Sequence, residues 1–383
     1  MPPIPEVLFG RSISPEFVDT SRNIVSAKLY RYRLALNEPL RLKQFNLDQR
    51  EGLILEITDE RGNSGLSEIS PLPGYSHESL EAATYKTQTL LDRIVGSDDF
   101  VDRFLLRTCR DIKFEAPSLA SFGVETALLS LFAKANQVTL GEFLYGESSL
   151  DIPLNGLINK NLSEWVPEAE RLVAEGFQTL KIKVGRINPE LEAIGIKNIR
   201  QSIGPDVKLR LDANRSWDLE TAINFGRQVT SEQIEYIEEP LQNPRDLPHF
   251  HNGCGIHFAL DETLHHILDP SISFNTYTGL NTLILKPTLI ACIPRLLSLV
   301  QQAKDHLIST VISSSYETDL GLSILSQLAG AISGGNVAAG LDTGSVFKKR
   351  ISKKSQLARN GRMEIETLGR DDLDFNQCEL IYE

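Results

Sequence analysis

The 383-residue chain is 41% hydrophobic and 23% charged, with Gly 26 and Pro 18, a balance that excludes a disordered or collagen-like protein. Its 39 basic and 51 acidic side chains leave a net charge of -12, a field that repels phosphate backbones and argues against nucleic-acid binding. No apolar run approaches the roughly 18 residues of a membrane span, and the N-terminus MPPIPEVLFGRSISPEFVD lacks the basic-then-apolar pattern of a secretory signal.

Residues 1–24 read as a leader. Residues 25–35 (VSAKLYRYRLA) and 52–59 (GLILEITD) alternate or run apolar with β-branched and aromatic content, which predicts strands. The stretch Asp59-Glu60-Arg61-Gly62-Asn63 supplies a turn into a third segment, GLSEIS. Helices are expected over His77–Val95, with Ser76 as N-cap, and over Phe122–Ala135. In the second, Val124, Ala127, Leu128, Leu131 and Phe132 share one apolar stripe. Residues 25–145 therefore read as an α+β module.

Over residues 150–345 the pattern changes to short apolar strands alternating with helices. Strands are predicted at 153–159, 179–184, 207–212, 234–238, 257–261, 282–286, 308–314 and 336–341. Helices are predicted at 162–175, 190–202, 218–229, 293–304 and 319–332. Eight strands, each followed by a connection, fit an α/β barrel of TIM type. A doubly wound sheet is the alternative, but neither GxGxxG nor GxxxxGK(S/T) occurs. The segment 346–383 carries a basic run, Lys348 to Arg350 with Lys353 and Lys354, read as solvated or interdomain surface. Its last apolar stretch, CELIY, is expected to return to the N-terminal module. Cys109, Cys254, Cys292 and Cys378 are scattered without a CxxC, as in a cytoplasmic protein without disulfides.

Charged residues fall within and at the ends of the barrel strands. Lys181 and Lys183, two apart in TLKIKVG, point to the same face. Asp212 ends VKLRLD with Asn214 just beyond it, Glu238 ends EYIE, Asp261 ends HFALD and Lys286 ends TLILK. Consecutive strand C-termini converge on one mouth, where barrel enzymes carry their chemistry. Three carboxylates on neighbouring strands suit a hard cation, Mg2+ (or Mn2+ in its place) over Zn2+. The alternative, a solvated loop start for each acid, fails for the set, because buried ions without partners are too costly. A lysine beside other cations and a divalent metal has its charged form disfavoured, so a lowered lysine pKa is expected with the metal bound, suited to proton abstraction next to a carboxylate. A Schiff-base lysine is the rival use.

Those residues carry a resemblance. The chain resembles the enolase superfamily, in its muconate-lactonizing-type branch, through Lys181-Ile-Lys183, DAN (Asp212 to Asn214), IEEP (Ile237 to Pro240), LDE (Leu260 to Glu262) and LILKP (Leu283 to Pro287). Within the branch, GLSEISPLPGYS (Gly65 to Ser76), SSSYE (Ser313 to Glu317) and GLDTG (Gly340 to Gly344) are similar to the o-succinylbenzoate synthase family. The resemblance implies a modified (β/α)7β barrel under an α+β cap formed by the N-terminal region and the C-terminal tail. It also implies Asp212, Glu238 and Asp261 as Mg2+ ligands. Lys183 would remove the proton α to the ring carboxylate of 2-succinyl-6-hydroxy-2,4-cyclohexadiene-1-carboxylate and then protonate the departing hydroxyl. That syn dehydration yields o-succinylbenzoate, an intermediate of menaquinone or phylloquinone synthesis. Lys286 would stabilise the enediolate, and Lys181 would tune Lys183.

For substrate binding the resemblance implies Asn214 and, at the succinyl carboxylate, donors from Ser313, Ser314 and Ser315. Arg41 would act from a cap loop around Ala35 to Phe45 that closes over the mouth together with a second loop near Ser70 to Tyr75, excluding water. The partner is then a small anionic molecule, and monomer and homo-oligomer both stay open. Racemases, dipeptide epimerases and muconate cycloisomerases share the α-proton chemistry. Leu341-Asp342-Thr343 has one acid where dipeptide epimerases have DxD, which disfavours that reading. An N-succinylamino acid racemase is the stronger rival, because Lys183 and Lys286 supply two bases from opposite sides. A non-catalytic barrel should have lost one of five residues (Asp212, Glu238, Asp261, Lys183, Lys286), and all are present. Adjacent His265 and His266 read as surface or packing, and Trp217 and Tyr236 as barrel packing.

Overall fold

The computed structural model describes residues 22–42, 45–97, 118–266 and 274–383; the leader, apart from its last three residues, and Cys109 lie outside them. The long strand β1 (Ile24–Leu42) buries Tyr32, Leu34 and Leu36 while Arg33 and Ala35 face out, the period-two pattern of a half-buried strand. It pairs antiparallel with β2 (Phe45–Asp59), which pairs with β3 (Ser64–Ile69). The expected turn joins β2 to β3, with the Asp59 carboxylate accepting from the Asn63 amide at 2.7 Å. The last strand, β13 (Cys378–Tyr382), adds to the free edge of β1 and completes a four-stranded sheet.

Three local expectations need correction. The described residues from Ala35 to Leu42, and Phe45, are paired strand and not irregular loop: after a register shift, Leu40, Arg41 and Leu42 pair with Leu47, Asn46 and Phe45. The exposed Asn37-Glu38-Pro39 stretch at that shift breaks the apolar alternation, which hides the strand in the sequence. The first helix spans Leu80–Ile94 and is capped by Ser79, not Ser76; the Ser76 hydroxyl instead accepts from the Leu72 amide at 2.8 Å and closes a turn. The helix Leu119–Ala135 is buried on nearly every face, because it lies between the sheet and the second layer of the molecule.

That second layer is a parallel barrel. Strands β5 (Gly156–Ile158), β6 (Thr179–Lys183), β7 (Lys208–Asp212), β8 (Ile234–Glu238), β9 (Phe258–Leu260), β10 (Leu280–Leu285) and β11 (Ser309–Ile312) form one seven-stranded sheet in sequence order. Residues 339–340 close it, with parallel bridges Ser313↔Gly340 on one side and Leu154↔Ala339 on the other. Helices Trp165–Ala174, Pro189–Ile203, Leu219–Val229, Leu247–Cys254, Ile293–Asp305 and Asp319–Ser333 return the chain between strands. The short β4 (Asp151–Pro153) and β12 (Arg362–Glu364) pair outside the barrel.

Side-chain alternation sorts the layers. In β6, Leu180 and Ile182 are fully buried against the helices, which turns Lys181 and Lys183 to the barrel interior. In β7, Leu209 and Leu211 do the same for Arg210 and Asp212. Trp217 and Tyr236 are packing residues: Trp217 lies 4.5 Å from the Phe225 ring, and Tyr236 sits under the Arg210 guanidinium at 5.3 Å. Among the described residues no helix is long and apolar enough to cross a membrane.

Candidate active site

Strand register brings the charged strand ends together. Lys183 is the lateral partner of Asp212, and Asp212 that of Glu238, so the three sit about 4.8 Å apart around one rim. Glu238 is in register with Ala259 of β9, and Asp261 follows two residues later. Lys286 begins the turn after β10.

The acids are nearly inaccessible, with Asp212 1%, Glu238 0% and Asp261 1% exposed, so each must be paired. Lys181 lies 2.8 Å from Asp212 and 2.6 Å from Glu238. Lys183 lies 2.6 Å from Asp212 and donates to Asn214 Oδ1 at 2.8 Å. Lys286 pairs with Asp261. Burial opposes ionisation of Asp212, but the Lys181 and Lys183 ammoniums outweigh it and hold its carboxyl well below the usual range. Glu238 moves the other way, raised by burial and by the neighbouring Asp212 charge. As the side chains stand, with the acids facing the ammoniums directly, Lys181 and Lys286 both lie above the ordinary lysine value. Burial favours their neutral forms, yet Asp212 and Glu238 at Lys181, and Asp261 and Glu238 at Lys286, raise both.

Further groups, not singled out by sequence reasoning, hold this rim in place. Glu239, fully buried, accepts from the Asp261 amide at 2.9 Å, the Thr263 amide at 2.7 Å, the Thr263 hydroxyl at 2.9 Å and Arg215 Nε at 2.8 Å. Its signal was the second glutamate of IEEP. Glu262 accepts from Asn214 at 3.2 Å, and burial pushes its carboxyl up to about 7. Asn214, Arg215, Glu239 and Tyr316 all have positive φ, backbone strain of the kind that gathers at working sites.

A cavity of about 160 Å³ opens over the rim. Arg41, Asn214, Ser313, Ser314 and Ser315 all line it, with Lys181, Lys183, Asp212 and Lys286; Glu238 and Asp261 lie behind the lining. Leu72 and Tyr75 close it from the cap side, while Asn159 and Arg186 lie where it meets a larger outer hollow. Ser313 and Ser314 hydroxyls contact the Gly340 carbonyl at 3.3 Å and Thr343 at 2.7 Å, while Ser315 Oγ is buried without a partner. The side chains of His265 and His266 lie outside the described set.

The donor chemistry fits a hard divalent cation: three carboxylates, no histidine or cysteine, and a buried Glu238 Oε1 with no hydrogen-bond partner. As the side chains stand, no three acids, histidines or cysteines among the described residues converge on one point, because the lysines draw the carboxylate oxygens toward themselves.

Family models agree with this geometry. One described as "Enolase C-terminal domain-like" matches residues 164–369, and one described as "MenC, N-terminal domain" matches residues 24–131. The chain belongs to the enolase superfamily. Among curated relatives of this superfamily enzyme is o-succinylbenzoate synthase of Vibrio cholerae, 33% identical over 331 residues that cover 85% of this chain and 91% of the relative. Another is the o-succinylbenzoate synthase of Proteus mirabilis, 30% identical, covering 85% and 92%. Solved structures sharing its fold include L-Ala-D/L-Glu epimerase from Bacillus subtilis, with TM-score 0.78, 21% identity and coverage of 90% and 96%. Muconate lactonizing enzyme from Pseudomonas fluorescens superposes with TM-score 0.79 at 17% identity, covering 93% and 98%.

Proposed function

We propose that this enzyme is an Mg2+-dependent o-succinylbenzoate synthase. The observation that carries the reading is the rim itself, in which Lys183, Asp212 and Glu238 share one register while Asp261 and Lys286, paired with each other, continue it just past the ends of β9 and β10. The cap sequence, matched by the MenC model and by synthases at about a third identity, favours this member of the superfamily.

Asp212, Glu238 and Asp261 would hold Mg2+, which when bound neutralises the ring carboxylate and acidifies its α-proton. Lys183 Nζ, as the neutral amine, takes that proton. Lys286, kept charged by its acidic neighbours, offsets the negative charge left on the carboxylate. Lys183, now an ammonium on the same face, returns the proton to the departing 6-hydroxyl, and water leaves as the ring becomes aromatic. Asn214 Oδ1 holds the Lys183 ammonium, and Arg41, Leu72 and Tyr75 limit water at the mouth. Purified protein with Mg2+ and the cyclohexadiene substrate should form the aromatic product, and a chelator should stop it.

N-succinylamino acid racemisation is the second reading, favoured by two lysines on strands well separated around the rim. It is scored by α-proton exchange of N-succinylamino acids in deuterated water. Fast exchange with no dehydration would overturn the synthase reading. A dipeptide epimerase ranks lower, because Asp342 is its segment's one acid.

A further inference from the structure

Buried polar groups joining the cap to the barrel converge on one short segment, Ser313 to Thr318, which lines the cavity and leads into the helix Asp319–Ser333. Arg50, on cap strand β2, is 1% exposed. Its guanidinium donates to four backbone carbonyls: Pro71 at 2.8 Å, Ser70 at 3.1 Å, Ser315 at 3.3 Å and Tyr316 at 3.2 Å. Two of these belong to the cap turn that carries Leu72 and Tyr75, and two to the barrel segment. A buried guanidinium is costly unless its donors are met, and here they are met by two chains that both wall the cavity.

The fork geometry matters. Five N–H donors in one rigid plane fix the spacing between two strands of backbone, which a lysine ammonium at the end of a flexible stem cannot do. Tyr316 sits at φ 62°, a strained conformation that persists where its surroundings over-determine it. Glu317, 2% exposed, ties the segment from the other side by accepting from the Ser315 amide at 2.6 Å and from the Thr288 hydroxyl. Thr288 lies two residues beyond Lys286, so the same clamp reaches the catalytic rim.

We propose that Arg50 is a positioning residue for the substrate's second carboxylate. It fixes Ser313 to Tyr316 against the cap turn, so that the three serines lining the cavity keep their places in its wall. The inference rests on the dicarboxylate substrate proposed above. Arg50 touches neither the reacting atoms nor the cation-binding acids, so its loss should weaken binding of the substrate tail more than it slows turnover.

The test uses R50K and R50Q in the full chain, with steady-state kinetics of dehydration and amide hydrogen exchange of 313–318. Both variants should raise KM about tenfold or more while kcat stays within about threefold, the signature of lost uniform binding. Exchange should quicken at 313–318 and at 70–75, with the barrel strands unchanged. Wild-type KM in a folded variant overturns the proposal, as does unchanged exchange at 313–318. Unfolding of both variants overturns it too, since a purely structural role would then suffice. A wild-type protein that dehydrates nothing defeats the functional reading instead. KM is then taken from α-proton exchange of an N-succinylamino acid, whose tail also ends in a carboxylate; where neither reaction proceeds, hydrogen exchange alone decides on Arg50.

Discussion

At the residue scale, chemistry depends on groups whose charge is set by their neighbours. Lys183→Ala should lower turnover by about 10³-fold or more, the scale of a lost general base, while circular dichroism and thermal unfolding stay near wild type. Lys286→Ala should be similarly impaired, and full activity in either variant would sink its assigned role. Glu239 offers a sharper test, because it acts through Asp261. A glutamine there cannot accept from two amides and a guanidinium together, so Glu239→Gln should weaken Mg2+ binding about 10–100-fold, read by titration calorimetry. Unchanged affinity would show that Asp261 needs no such support. Lysines and acids at strand ends were readable in the sequence because charge inside an apolar strand is anomalous. Glu239 was marked only as the second glutamate of IEEP, and Arg50 not at all, since a buried polar residue that serves backbone groups of a distant segment leaves no mark in local pattern.

At the element scale, barrel strands such as β6 and β7 were readable to within a few residues because Leu and Ile alternate with inward polar groups over five positions. Cap elements were less so. The strand beyond Ala35 is interrupted by the exposed Asn37-Glu38-Pro39 stretch, and the helix Leu247–Cys254 contains Pro, Asn, Gly and two histidines, a composition that reads as loop. The turn after β6 is a stricter element. Gly185 has φ +76°, and an added Cβ would lie 1.8 Å from Ser216 Oγ. Gly185→Ala should therefore destabilise the protein by about 1–3 kcal/mol and disturb Lys183, two residues away. A denaturant midpoint equal to wild type would contradict that reading.

At the scale of the whole molecule, two layers with separate sheets are held by buried polar ties. Glu68 of β3 accepts from the Thr318 amide at 3.1 Å and the Gly321 amide at 2.9 Å, at the start of a barrel helix. Glu125, 1% exposed in the cap helix, accepts from the Ile293 amide at 2.7 Å at the start of another. The two ties differ in consequence. Glu125 Oε1 has no partner, and burial, only partly offset by the Ile293 amide, pushes its carboxyl up from 4.5 to about 8. Between those values the folded protein keeps a proton that the unfolded chain releases, so stability must fall as pH rises through that window. The contribution is complete on the acid side and lost by about pH 8. Glu125→Gln keeps an acceptor for Ile293 and removes the titration. From pH 5.5 to 8 the stability difference, wild type minus variant, should therefore shift against wild type by about 2–3 kcal/mol, measured by urea unfolding at both values. Parallel pH profiles for the two proteins would mean that Glu125 stays ionised in the fold, and that the cap docks on the barrel through a buried charge.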